Sequence, residues 1–331
     1  MKMRAAKMVE VGRMVCEEAE VRPPGEGELL VRNRFASICG SDLHIVMTGV
    51  GLPAFPQAPG FPGHEGIGEV IESRNPGFAP GDRVLTVPMP PHSFTFADYQ
   101  TLHGDFCLKL PGGGKPLELL MAQQLGTVVF ALRRKPVDVV GRTVMVMGQG
   151  SAGMFFAYLL KRAGAAKVIV SDLSQARLAV SPAMGADLAL HPNGTNVLQA
   201  VLDETGGAGA DYVIEAVGSR SSLLESVKLV REGGDLLLFG LPDSKEPVPF
   251  NFAAFFGRRI SASSTYGAQS EPGLVSFRAA VELIRSGAID VSPVVSHILP
   301  IEEIDRALHM AHERIDNAIK VSVSLEGGSG G

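Results

Sequence analysis

The spacing of apolar residues divides the chain into two parts with different patterns, called here the first and the second texture. Up to about residue 111 the apolar runs are short and broken by Gly and Pro, as in Arg22-Pro-Pro-Gly25, which is typical of a small, irregular, mostly β domain. From residue 117 onward, apolar runs of strand length alternate with segments of helix length. This alternation predicts a doubly wound parallel sheet with crossover helices on both faces.

Six strands are predicted in the second texture. They cover residues 143–147, 167–171, 187–190, 211–216, 235–239 and 259–265. Helices are predicted between most of them, including 197–204 and 222–230. Pro182 falls inside the second crossover helix and should shorten or kink it at Ser181, because proline cannot continue the helical hydrogen bonds.

The last part of the chain returns to shorter elements. Amphipathic helix patterns cover residues 274–284 and 304–311, and residues 319–325 alternate like a half-buried strand. No partner strand is evident nearby in sequence, so this strand is expected to return to the N-terminal β domain. The predicted domains are therefore 1–125 with 268–325, then 126–267, and a flexible Gly/Ser tail at 326–331.

A glycine-rich turn follows the first predicted strand of the second texture. An apolar run at 144–147 enters Gly148, Gln149, Gly150, Ser151, Ala152 and Gly153, and a helix pattern follows at 154–163. In a dinucleotide site the first glycine makes the tight turn, the second lets the backbone approach a pyrophosphate, and the third packs helix against strand. Glycine is common here, with 39 in 331 residues, so a plain tight turn is the alternative for the hexapeptide alone.

Asp172 ends the second predicted strand, about 20 positions after Gly153. An acidic residue at that place binds the adenosine ribose hydroxyls and rejects a 2′-phosphate, which favours NAD over NADP. The absence of an Arg directly after it supports the same preference. The alternative for Asp172 is an N-cap for a helix at 173–180, and one carboxylate could serve both purposes.

Bulk composition narrows the class of protein. A length of 331 residues favours two domains, and a net charge of −5 with a pI near 5.9 argues against a nucleic-acid surface. No apolar run reaches the roughly 18 to 20 residues of a membrane span, and the charged N-terminus lacks the apolar core of a secretory signal. Three cysteines, Cys16, Cys39 and Cys107, make no disulfide framework and fit a reducing cytoplasm.

Residues suited to metal binding lie in the N-terminal half. Cys39 opens the segment CGSDLH, and His64 and Glu65 lie in GHEGIG. Thiolate, imidazole and carboxylate are ordinary zinc ligands. The alternative is a buried small hydrophobic cysteine and a hydrogen-bonded core histidine.

These motifs together resemble a known family. CGSDLH, GHEGIGEV, PGDRV, GQGSAG and the EAVG of residues 215–218 occur in the order found in the medium-chain dehydrogenase/reductase superfamily, in its zinc-dependent alcohol and polyol dehydrogenase branch. The resemblance covers residues 1–325. It implies a GroES-like β-rich catalytic domain, closed by the C-terminal return, with a Rossmann cofactor domain inserted into it.

The resemblance also implies roles for single residues. Cys39 and His64 match zinc ligands, and Glu65 matches a residue that is a ligand in some members and leaves the shell in others. Ser41 matches the hydroxyl that takes the substrate proton, His44 the outer end of the relay, and Asp42 the group that orients His64. The implied cofactor contacts beyond the glycine turn are Asp172, Arg177, Ala216, Val217 and Lys320, with Lys320 at the pyrophosphate and Arg177 near the adenosine.

Two departures from the family pattern change the expected metal content. The third fixed ligand of the family aligns with Gln123, and a neutral amide is a poor zinc ligand. One catalytic Zn²⁺ is therefore expected on Cys39, His64 and Glu65, with water or substrate as the fourth ligand. The cysteine lobe of a structural zinc is replaced by residues 88–96, which contain no cysteine, so no structural zinc is expected.

The predicted activity is hydride transfer between an alcohol or polyol and NAD(H), assisted by zinc. The substrate pocket should include Ser41 and parts of 43–51 and 88–96, with Phe94 and Phe96 as an apolar wall. Two alternatives are a zinc-free reductase of quinones or enones and a nucleotide-binding protein without turnover. Relatives of this kind form homodimers or homotetramers through the edge of the cofactor sheet, here near residues 235–241 and 260–265.

Overall fold

A computed structural model describes residues 1–52, 54–89, 92–244 and 246–327, and the chain divides into two units. Unit 1 comprises Met1–Val129 and Gly267–Gly331, and unit 2 comprises Phe130–Tyr266. The sequence placed these boundaries after residues 125 and 267. Residues 328–331 of the predicted tail lie outside the described residues.

The elements follow in chain order. The N-terminal segment contains β1 (Lys2–Glu10), β2 (Arg13–Glu20), β3 (Glu28–Ser37), α1 (Gly40–Thr48), β4 (Gly66–Ser73), β5 (Arg83–Thr86), β6 (Tyr99–His103), β7 (Cys107–Lys109), α2 (Pro116–Leu120) and α3 (Ala122–Arg134). Unit 2 continues with β8 (Thr143–Met147), α4 (Ser151–Arg162), β9 (Lys167–Ser171), α5 (Gln175–Val180), β10 (Leu188–Leu190), α6 (Val197–Glu204), β11 (Ala210–Glu215), α7 (Arg220–Leu229), β12 (Val230–Leu238), α8 (Phe252–Gly257) and β13 (Ser261–Ser264). The return segment contains α9 (Val275–Arg285), β14 (Val295–Pro300), α10 (Ile304–Glu313) and β15 (Lys320–Ser324).

Unit 1 is built on a mixed sheet with the order β14-β15-β3-β4-β5-β7, in which β6 pairs with β3, and on a separate β1–β2 hairpin. As expected, β15 returns to the N-terminal strands, where it pairs antiparallel with β3. Two details of that prediction are wrong. β15 has a partner nearby in sequence, the parallel strand β14, and it is buried on both faces from Lys320 to Val323 rather than half-buried.

The core of unit 1 joins distant parts of the chain. Apolar side chains of β1, β3, α10 and β15 form one cluster that includes Met8, Leu308 and Val323. Phe96 is fully buried in this cluster, so it is core and not the pocket wall that the sequence suggested. Pro90 and Pro91 of the same predicted pocket segment lie outside the described residues.

Unit 2 carries the parallel sheet, with the order β10-β9-β8-β11-β12-β13. The architecture agrees with the predicted fold class, since unit 1 is rich in β-strands and unit 2 is a six-stranded parallel sheet with helices between its strands. Strands β8 and β9 begin and end where the sequence placed them, whereas β12 begins earlier, at Val230. The central strands are long apolar runs because helices cover both of their faces.

The second crossover helix shows how local chemistry sets helix ends. α5 stops at Val180 and a short 3-10 turn follows over Ser181–Met184, as Pro182 predicted. The proposed N-cap role of Asp172 is wrong: Ser174 is the N-cap, and its hydroxyl accepts the Arg177 N–H, so the helix begins at Gln175. No helix in the described part of the chain combines the length and apolar character needed to cross a membrane.

Candidate functional site

The first candidate site starts where α1 begins. Cys39 directly precedes the helix, and its backbone N–H donates to Asp42 Oδ2 at 2.9 Å. The other carboxylate oxygen, Oδ1, lies 2.8 Å from His64 Nδ1. Asp42 therefore holds both the helix start and the imidazole. With Nδ1 bound, Nε2 of His64 is the nitrogen left for a ligand, and it lies 3.3 Å from Ser41 Oγ.

Three potential metal ligands meet at this point. Each of these side chains offers one ligand atom, and the three atoms, from Cys39, His64 and Glu65, lie within 4.8 Å of one another. His64 and Glu65 are buried, and Cys39 is partly exposed. The structure thus brings together the three side chains that the sequence named as the metal set.

Glu65 is held by groups on two other elements. Its Oε2 accepts a short hydrogen bond from Ser37 Oγ and pairs with Lys320 Nζ at 2.7 Å. Lys320 also donates to Gln124 Oε1 at 3.1 Å. Ser37 and Gln124 were missed by sequence reasoning. The position of Ser37 at the end of β3, two residues before Cys39, was the only available signal.

The charged groups in this cluster shift one another's pKa values. Burial lowers the pKa of His64, but Asp42 and Cys39 raise it by more, so that it lies well above the ordinary value. Burial raises the pKa of Glu65, while Lys320 and His64 lower it by more and keep the carboxylate ionised. Burial likewise lowers the pKa of Lys320, and Glu65 and Cys39 outweigh that effect.

The donor set fits a zinc ion. Glu65 Oε1 and Gln123 Oε1 are buried acceptors with no hydrogen-bond partner among the described residues. An acceptor left in that state costs about 1 to 3 kcal/mol, so a cation beside them would remove a real penalty. Gln123 lies next to the cluster, with its Nε2 at 3.5 Å from the His64 carbonyl oxygen. Sulfur, imidazole nitrogen and oxygen donors match the preference of Zn²⁺.

The Lys320 side chain is 2% exposed, and its ammonium is bonded to Glu65 and Gln124 within unit 1. Its implied role at the cofactor pyrophosphate stays a prediction. His44 lies three residues after Ser41 in α1, so the two side chains share one face of that helix.

The second candidate site is the glycine turn of unit 2. Gly148 has a left-handed backbone, with φ of 89°, and α4 begins at Ser151 directly after Gly150. A side chain at Gly153 would place its Cβ 1.8 Å from the Gly148 carbonyl oxygen, so only glycine lets helix and turn pack this closely. Ser151, Ala152 and Gly153 form the first turn of α4, and the backbone N–H groups at a helix N-terminus can bind a phosphate.

Asp172 connects the end of β9 to this turn. Its Oδ2 accepts the Gln149 N–H at 2.7 Å, and its Oδ1 accepts the Ser174 N–H at 2.7 Å. Arg177 Nη1 lies 3.9 Å from Asp172 Oδ2. Ala216 and Val217 follow β11 and flank Gly148. The structure therefore brings the predicted cofactor residues of unit 2 to one edge of the sheet.

Known families match both units. Residues 25–129 match the family described as alcohol dehydrogenase GroES-like domain, and residues 152–283 match the family described as zinc-binding dehydrogenase. The two matches together span more than half of the chain.

Individual proteins are similar over most of their length. Human sorbitol dehydrogenase is 28% identical over 321 residues, which cover 88% of each chain. L-threonine 3-dehydrogenase of Pyrococcus furiosus is 28% identical over 306 residues, covering 85% of this chain and 86% of the relative. The crystal structure of an alcohol dehydrogenase from Thermotoga maritima has a TM-score of 0.83 and 25% identity, over 98% of this chain and 99% of that one.

Proposed function

The chain belongs to the zinc-dependent alcohol dehydrogenase branch of the medium-chain dehydrogenase/reductase superfamily, and from that membership we propose its reaction: hydride transfer between an alcohol or polyol and NAD(H). The observation that carries the proposal is the cluster of Cys39, His64 and Glu65 within 4.8 Å. A zinc ion bound there supplies a Lewis acid for the substrate oxygen. The substrate is a small molecule, and the hydride chemistry belongs to the nicotinamide.

The protein's own residues hold the ligands and carry the proton. Asp42 keeps the His64 ring in the tautomer that presents Nε2, through the 2.8 Å bond to Nδ1. Ser41 Oγ lies 3.3 Å from that nitrogen, and in the proposed reaction it takes the proton of a substrate hydroxyl. His44, on the same face of α1, passes the proton outward.

We assign the cofactor as NAD on the strength of Asp172. Its carboxylate lies at the end of β9 and is bonded to the glycine turn through Gln149. A 2′-phosphate would meet this negative charge, whereas ribose hydroxyls can donate to its remaining lone pairs. Arg177 beside it is the group that would tolerate a phosphate, so the preference depends on the balance between the two side chains.

The test combines metal analysis with a substrate screen. Purified protein should contain about one zinc per chain, and a panel of alcohols, polyols and hydroxy amino acids should reduce NAD in a chelator-sensitive way. Zinc below about half an atom per chain, with full activity after chelation, would overturn the metal role. Tight NADH binding without turnover of any alcohol would favour a binding protein instead.

A zinc-free reductase of quinones or enones is not favoured. Its active site would not need three ligand atoms within 4.8 Å or two buried oxygens without donors. The relatives named above are a sorbitol dehydrogenase, an L-threonine 3-dehydrogenase and an alcohol dehydrogenase.

Assembly and location are further parts of the proposal. β13 is the edge strand of the parallel sheet, and unit 2 exposes Phe250, Phe252 and Phe256 nearby in sequence, by 43%, 64% and 73%. An open strand edge and exposed aromatics suit a homodimer or homotetramer joined through this sheet. The three cysteines are free thiols, which suits the reducing cytoplasm.

A further inference from the structure

A carboxylate to which the sequence analysis gave no role of its own, the first residue of the EAVG motif, lies at the C-terminal end of β11. Glu215 is 2% exposed, and its Oε1 accepts the N–H groups of Val217 at 2.8 Å and Gly218 at 2.9 Å. The Ser222 hydroxyl donates to the same oxygen at 2.8 Å. One buried oxygen therefore binds the whole loop that leads from β11 into α7.

The backbone of Glu215 holds a second loop. Its carbonyl oxygen accepts the N–H groups of Phe239 and Gly240, each at 2.9 Å, just after β12 ends. β11 and β12 are neighbouring parallel strands. Ligands of such sheets bind outside the carboxyl ends of the strands, so Glu215 controls two of the loops that form the cofactor edge.

The first of these loops packs directly on the glycine turn. A Cβ at Gly148 would meet Val217 Cγ2 at 2.9 Å and the Ala216 carbonyl oxygen at 3.1 Å. On the other side, Gly218 has φ of 88°, and a Cβ there would lie 2.0 Å from the Leu241 carbonyl oxygen. The loop is fixed between two backbone surfaces, and a shift at residue 217 would reach the turn that binds the pyrophosphate.

The way the carboxylate is satisfied is unusual for a buried charge. Consecutive backbone N–H groups in a turn form a concavity that binds anions. Here the N–H groups of Val217 and Gly218 bind the protein's own carboxylate, and Glu215 takes part in no ion pair among residues 1–52, 54–89, 92–244 and 246–327. The loop after β11 therefore requires an acceptor oxygen at the right distance from the backbone more than it requires a negative charge.

We propose that Glu215 is a positioning residue of the cofactor site, which sets the loops after β11 and β12 against the glycine turn. The inference rests on the proposed NAD-linked function, because it assigns this edge of the sheet to the cofactor. Glu215 acts through Ala216 and Val217 and need not touch the cofactor.

Two substitutions separate reach from charge. E215D keeps the charge but withdraws the carboxylate by one methylene, and E215Q keeps the reach and the acceptor oxygen but removes the charge. NADH affinity, measured by fluorescence titration, should fall about tenfold or more in E215D and change less than about threefold in E215Q. Thermal unfolding of each variant shows whether unit 2 stays folded.

Asp211 offers a matched control on the same strand. It lies near the start of β11, where its carboxylate accepts the Thr143 N–H at 2.9 Å and pairs with Arg231 at 2.7 Å. D211A should lower the unfolding temperature and leave NADH affinity unchanged, because it loosens the opposite end of the strand.

The outcomes are distinct. If the unmodified protein binds neither NADH nor NADPH, the proposed function fails, and this inference falls with it. If it binds NADH and E215D binds equally well, only the role of Glu215 is overturned. If E215Q binds NADH as weakly as E215D, loss of the charge matters as much as loss of reach, and the role of Glu215 as an acceptor at the right reach is overturned. If D211A weakens binding equally, the effect is one of stability, and the positioning role is overturned as well.

Discussion

The cluster around His64 and the turn around Gly150 are built to hold charge by opposite means. The cluster uses side chains: Cys39, Asp42, Glu65 and Lys320 each contribute an ionisable group, and most of them are buried. In the proposed cofactor site the turn uses the backbone N–H groups at the start of α4, and Gly148, Gly150 and Gly153 add no side-chain atoms there. The first site should therefore fail when an atom changes its chemistry, and the second when any atom is added.

The strongest test of the side-chain site is Cys39→Ser, since a hydroxyl is a far poorer zinc ligand than a thiolate. Zinc content should fall from about one per chain to below about 0.1, and kcat/KM for the best alcohol should fall by about a thousandfold. Atomic absorption and steady-state kinetics measure both. Cys16→Ser is the control, because this free thiol lies outside the ligand group and should retain zinc and activity. Full zinc in the Cys39 variant would remove that residue from the metal set.

The backbone site is tested by Gly153→Ala, which adds one methyl group 1.8 Å from the Gly148 carbonyl oxygen. α4 must move away from the turn, and NADH affinity should fall by about a hundredfold while zinc content stays unchanged. Gly194→Ala is the control, because a Cβ there meets nothing within 4 Å. Unaltered NADH binding by Gly153→Ala would mean that this turn does not hold the cofactor.

Asp172→Asn tests how much one side chain contributes to cofactor preference at the backbone site. Removal of the charge leaves Arg177, 3.9 Å away, as the charged group beside that position, so the ratio of kcat/KM for NADP over NAD should rise about thirtyfold. Asp203→Asn, at an exposed position of α6, should leave the ratio unchanged. A natural preference for NADP would contradict the role given to Asp172 before any variant is made.

Substitutions of Gln123 should have the smallest effect on the side-chain site, and they test whether this residue contacts the metal. Gln123→Glu should raise zinc affinity about tenfold by adding an anionic donor, and Gln123→Met should lower it by a smaller factor. The metal-free Met variant should be as stable as the parent or more stable by about 1 kcal/mol, because the amide oxygen that it removes has no partner in the described chain.

Gln100→Met is the counterpart for that pair of variants. The Gln100 amide donates to Asn33 Oδ1 and Thr86 Oγ1, so its loss should lower the unfolding temperature without changing zinc affinity. If chelator competition finds equal zinc affinity in Gln123→Met, Gln123 does not contact the metal.

The same contrast explains what could be predicted from sequence. β8 and β9 are apolar runs ended by Gly148 and Asp172, and local signals of this kind specify an element without reference to the rest of the fold. The candidate metal ligands could be named from the sequence because Cys39, His64 and Glu65 lie in recognisable motifs.

Side-chain contacts that depend on tertiary packing could not be predicted from the sequence. Lys320 looks like the polar position of an alternating strand, and only the placement of β15 between β14 and β3 buries it beside Glu65. The roles of Ser37, Gln124 and Glu215 likewise depend on strand neighbours far apart in sequence. The hydrophobic periodicity of a single segment does not predict such contacts.

The central position of β15 has a consequence for how the protein is made. The strand that supplies Lys320 is synthesised after unit 2, whereas the candidate ligands that it adjoins are synthesised before unit 2. Since domains tend to fold as units during synthesis, unit 2 can form on the ribosome while the sheet of unit 1 still lacks an inner strand. The candidate metal centre can therefore be completed only after residues 320–324 have been synthesised and have joined the sheet. A ribosome-stalled nascent chain ending before residue 320 should not protect His64 from solvent.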